Sequence, residues 1–79
     1  MQEKVLKKII TPEQVVELAK NLRRGDSFLI AEMLDGLYQP ATILHMIQGH
    51  RKMKPIVYDA ALRLIETIET LKNEMKWKN

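Results

Sequence analysis

The chain has no cysteine, which excludes disulfides and thiolate metal sites and fits a reducing, cytoplasmic setting. It also has no long apolar run. The longest, Phe28 to Ala31, falls far short of a membrane span, so no membrane partner is expected. The N-terminal MQEKVLKKII lacks the extended apolar core and the small-residue cleavage site of a secretory signal. Ser27 is the only serine and no histidine lies near it in sequence. Asp26 and Ser27 therefore read as helix caps rather than as a nucleophile and its helper. His45 and His50 stand on different predicted elements, with no cysteine or paired carboxylate beside them, so no metal site is expected. A chain of 79 residues holds one domain with a modest core. It has no room for a deep pocket with a cofactor fold, nor for a separate ligand-sensing domain. Neither an enzyme with catalytic residues nor a cofactor or small-molecule ligand is expected.

A hydrophobic content of 46% is too high for a disordered chain. The net charge of +3 is moderate, so the placement of charge matters more than its total. Three prolines and three glycines punctuate the sequence as helix starts and stops. Thr11, Pro12 and Gln14 form a capping box, and Val15, Leu18, Ala19 and Leu22 follow at helical spacing before Gly25. Asp26 or Ser27 caps a second helix with an expected inward face of Leu29, Ile30, Met33 and Leu34, ended by Gly36. Pro40 opens a third helix, with Ile43 and Ile47 one turn apart, Gln39 as a poor cap and Gly49 as the stop. Met33, Met46, Met53 and Met75 are expected to fill gaps in the core and at an interface. Residues 1–10 fit a strand, an extra helical turn or a basic arm carrying Lys4, Lys7 and Lys8.

From Pro55 a last helix runs almost to the end, because nothing between Ile56 and Lys78 breaks it. Val57, Ala61, Leu64, Ile68, Leu71 and Met75 form a heptad-like stripe, and only its first half has further apolar neighbours in Ala60, Leu62 and Ile65. The broad first half suits a globular core. The narrow seam of residues 66–79 suits a second copy of itself, so a homodimer is expected through Leu64, Ile68, Leu71, Met75 and Trp77. The expected fold class is all-α: one domain over residues 1–79, a small bundle of four to five helices with a long C-terminal helix.

Between Asp35 and Asp59 there is no carboxylate, while Arg51, Lys52 and Lys54 add positive charge and His45 and His50 add polarity. Within that stretch lie a short helix, a Gly-bearing turn and a second short helix, the layout of a helix-turn-helix reader of double-stranded DNA. Ala31 supplies the small residue that a close helix crossing needs, and Leu34, Ile43 and Ile47 supply the apolar contacts. The outward residues of the third helix are then Gln39, Ala41, Thr42, Leu44, His45 and Gln48. Gln suits adenine, His suits guanine acceptors, and Ala41 and Leu44 suit thymine methyl groups. A helix from Pro40 to Gln48 is roughly 13 Å long, about one major-groove crossing. His50, Arg51, Lys52 and Lys54 follow where phosphates would lie. Tyr38 either packs under the turn or reaches phosphate through its hydroxyl.

Ile30-Ala31, Leu34, Thr42-Ile43, Ile47, Gly49, Arg51-Lys52, Val57, Ala60-Ala61 and Leu64-Ile65 resemble the lambda-repressor-like and LacI-like helix-turn-helix families of bacteria and their phages. The resemblance implies that Gln39, Ala41, Leu44, His45 and Gln48 face bases. It also implies that Thr42, Arg51 and Lys52 meet the backbone, in a small transcriptional regulator. The segment from Leu34 to Thr42 is longer than those families' usual turn, so the turn departs from their pattern. The competing reading is a helical adaptor that offers the same surfaces to a protein partner.

Overall fold

The computed structural model describes residues 9–76, which form four helices and no strand. They are α1 (Pro12–Lys20), α2 (Asp26–Met33), α3 (Pro40–Ile47) and α4 (Pro55–Lys76). The all-α expectation and the long last helix are met. Ile9 and Ile10 are irregular, while the rest of the N-terminal segment and Trp77 lie outside the described residues.

α1 begins as its sequence dictates. The Thr11 hydroxyl accepts the Gln14 amide at 3.2 Å, and the Gln14 side chain accepts the Thr11 amide at 2.9 Å. Two amides without helical partners are thereby satisfied. The helix stops at Lys20, where the Asn21 side-chain amide donates to the Glu17 carbonyl at 3.0 Å. Leu22, expected inside the helix, packs on the core from the following loop.

The start of α2 departs from expectation. Neither Asp26 nor Ser27 is the cap; Gly25 is, with φ +93°, a left-handed angle that side chains resist. Asp26 instead occupies the first helical position, and its carboxylate folds back to accept the Arg23 amide at 2.8 Å. The Asp26 amide in turn donates to the Arg23 carbonyl at 3.0 Å. The inward face is also rotated. Ile30 and Ala31 are buried with Asp26 and Ser27, whereas Leu29 and Met33 are 49% and 45% exposed. The sequence Phe28-Leu29-Ile30-Ala31 is apolar in every direction, so periodicity alone does not choose a face. The choice falls to close approach, which favours the side carrying the small Ser27 and Ala31.

α2 packs against α3 and α4, and α1 lies on α3. Ile30, Ile43, Met46, Val57 and Ala61 form the sealed centre, closed by Leu18, Ile47, Met53, Ala60 and Leu64. Each large side chain sealed there contributes roughly 1.5–3 kcal/mol. Met46 and Met53 are core residues as expected, while Met33 and Met75 face solvent. α4 divides in two. Val57, Ala60, Ala61 and Leu64 join the core and Ile68 packs on its edge, while Leu71 and Met75 project beyond it. Leu64, expected at a dimer seam, is thus taken up by the chain's own core because it lies within reach of Ile30 and its neighbours in the cluster.

Replacing Asp26 by Ala leaves the Arg23 amide without its partner at a part-buried site. The expected loss is about 1–3 kcal/mol of unfolding free energy, read from denaturant melts, with helix content in the native state unchanged.

Candidate nucleic-acid interface

Ile43, Met46 and Ile47 turn inward from α3 at the spacing of one helical stripe. The opposite face is therefore presented outward. Gln39, Ala41, Leu44, His45 and Gln48 are all exposed, and Thr42 is half-buried at the edge of the stripe. Gln39 caps α3 without a side-chain hydrogen bond, in keeping with its poor capping chemistry, and Pro40 takes the first turn. Tyr38 is half-buried and packs against the core, the first of its two expected roles.

The chain after α3 is held at both ends. Gly49 takes φ +86°, and both His50 and Arg51 donate their amides back to the His45 carbonyl, at 2.8 and 3.3 Å. This left-handed residue closes the helix and reverses the chain. Met53 is buried and anchors the far end. His50, Arg51 and Lys52 are consequently folded beside the end of α3 instead of trailing away. Gln48, His50, Arg51 and Lys52 line one groove of about 390 Å³ against Val15 and Val16 of α1. Lys54 is exposed but lines no part of this groove; its carbonyl accepts the first amides of α4, from Val57 and Tyr58, each at 3.0 Å.

The reversal also brings together two residues that the sequence reading kept apart. The His45 and His50 rings meet edge to face with centroids 6.1 Å apart. Among the described residues no third ligand-bearing group joins them in a set that could hold a metal ion.

Three residues absent from the sequence-based site lie beside α3. Arg23 and Arg24 share a groove of about 500 Å³ with Phe28, Leu44 and Gln48. Phe28 also lines a smaller groove with Pro40, Ala41 and Leu44. The adjacent arginines were the available signal, but they stand outside the acid-free window and only the fold carries them to α3. Their nearest acid in sequence, Asp26, is buried and turned toward backbone. None of the residues lining these three grooves is a carboxylate. Among the described residues, neither arginine nor Arg51 or Lys52 is engaged in an ion pair; the one between Lys20 and Glu17 lies on α1. The arrangement is a mixed polar and apolar helix face adjoined by two cationic grooves.

No family model matches the chain, and neither a curated protein nor a solved structure is found that is similar to it. No described helix is long and apolar enough to cross a membrane.

A Cβ added at Gly49 would meet nothing within 4 Å, so the cost of Gly49→Ala is that of the backbone angle alone. About 1–2 kcal/mol of destabilisation is expected, with a smaller loss for Gly49→Asn, both measured by denaturant melts.

Proposed function

We propose that the chain binds double-stranded DNA sequence-specifically through α2, the turn and α3, as a small transcriptional regulator of bacterial or phage type acting in the cytoplasm. The observation that carries this reading is the outward face of α3 with two adjoining cationic grooves, one lined by Arg23 and Arg24 and the other by Arg51 and Lys52, neither lined by a carboxylate. Such a surface suits a polyanion, and the phosphate backbones bounding a major groove present that charge beside the base edges. Gln39, Ala41, Leu44, His45 and Gln48 are the base-facing set. Thr42, His50, Arg51, Lys52 and Lys54 serve the backbone, joined by Arg23 and Arg24.

The projecting half of α4 supports a homodimer. Leu71 and Met75 are 52% and 63% exposed in a seam with Ile68, among Glu66, Glu69 and Lys72. Two copies joined there would offer two α3 helices to successive major grooves, roughly 34 Å apart, and the DNA site would be an inverted repeat.

The adaptor reading draws support from one feature, the exposed apolar residues Leu29, Met33 and Leu37 along and beyond α2. Salt separates the two. Binding to duplex DNA is expected to weaken steeply as salt rises, and Arg51→Ala with Lys52→Ala should weaken all sequences alike and reduce the log–log slope by about two. Arg23→Ala with Arg24→Ala should act in the same way, whereas His45 and Gln48 substitutions should change which sequence is preferred. Duplex affinity that is negligible at low salt, or indifferent to all four cations, would leave the adaptor. Leu71→Glu with Met75→Glu is expected to give monomers with an intact helical core; sedimentation that remained dimeric would move the interface elsewhere.

A further inference from the structure

The leading end of α3 offers one long hydrogen-bonding side chain, Gln39, in an otherwise largely apolar setting. Pro40, Ala41 and Leu44 line a groove of about 410 Å³ with Phe28 of α2, and the polar Ser27 and Gln39 complete its lining. Phe28 is 65% exposed and Leu44 42% exposed. A lone exposed apolar side chain needs no explanation, but here side chains from two helices meet around one groove. The groove is also continuous with a cationic one: Phe28 and Leu44 line both it and the groove that holds Arg23 and Arg24. An occupant must therefore bring apolar groups while carrying negative charge beside them. In duplex DNA the thymine methyl meets both demands, since it is the one apolar group on a base edge in the major groove and phosphates lie on either side.

We infer that Phe28, Ala41 and Leu44 form an apolar reading edge for thymine methyl groups, with Phe28 acting as a specificity-determining residue supplied by the supporting helix rather than by α3. This rests on the DNA-binding reading and deepens it. Base preference is then divided along α3. The Pro40 end reads methyl groups alongside Gln39, and the Gln48 end reads hydrogen-bonding edges beside Arg51 and Lys52.

Uracil tests this directly, because it keeps the pairing and the hydrogen-bonding pattern of thymine and removes only the methyl. The probes are an alternating A·T duplex, the same duplex with every thymine replaced by uracil, and a G·C duplex of equal length as the nonspecific reference. The whole chain is expected to bind the thymine duplex more tightly than its uracil counterpart, by about fourfold for each methyl group buried. Phe28→Ala and Leu44→Ala should each shrink that gap and bring the thymine duplex toward the uracil one. Both side chains are exposed, and equal thermal unfolding of the variants verifies that the fold is kept. DNA binding with no thymine–uracil gap would overturn the reading edge and leave the DNA-binding proposal standing. A gap that persists in both variants would overturn the assignment of these residues. Absence of binding to every duplex at low salt would overturn both proposals and point to an acidic, amphipathic protein partner for the same groove.

Discussion

The close crossing of α2 over α3 is the constraint on which the rest depends. Ala31 and Ser27 keep the near side of α2 small, and the sealed Ile30 enters the cluster formed by Ile43, Met46 and Val57. A domain of this size has one core, and a lost contact there has few others to compensate it. Because Ile43, Met46 and Ile47 are committed inward, α3 has no rotational freedom left. The same packing that stabilises the domain thus decides which five side chains of α3 meet solvent. The separation of stabilising from surface-presenting residues is a consequence of one helix having two sides.

Electrostatics follows from that crossing. Asp26 lies between Arg24 and the exposed Phe28 in sequence, yet its carboxylate is buried against the Arg23 amide and does not neutralise the arginines at the surface. At the other end of α3, Gly49 and Met53 bracket His50, Arg51 and Lys52. One bracket is a backbone angle and the other a buried side chain. The loop between them is tied to the fold at both ends, which sets where its charges stand relative to Gln48. Charges fixed relative to a helix face can contribute to recognition of a particular shape, whereas the same charges on a free tail would contribute attraction alone.

α4 links the two scales of the molecule. Its first half completes the core through Val57, Ala60, Ala61 and Leu64, and small residues at two adjacent positions let it lie close to α2. Its second half leaves that core behind. A single helix projecting with Leu71 and Met75 on one side gains little by itself, since isolated helices derive most of their stability from packing of an apolar face. A second copy would supply that packing, and the transition from broad face to narrow seam falls near Ile68.

Much of this was legible in the amino-acid order. The four helices, the capping box at Thr11, the stops at Gly36 and Gly49, the outward set on α3 and the all-α class follow from local rules whose causes lie within a few residues. Where those rules were silent, the tertiary structure decided. It rotated α2 so that Leu29 and Met33 face out, because a helix apolar all round has no preferred side until a neighbour requires close approach. It drew Leu64 into the core, brought His45 and His50 together across a left-handed glycine, and carried Arg23, Arg24 and Phe28 to the flank of α3. Capping and periodicity act between near neighbours in the chain and can be read there; the pairing of one helix face with another depends on separations through space, which exist only once the chain has folded.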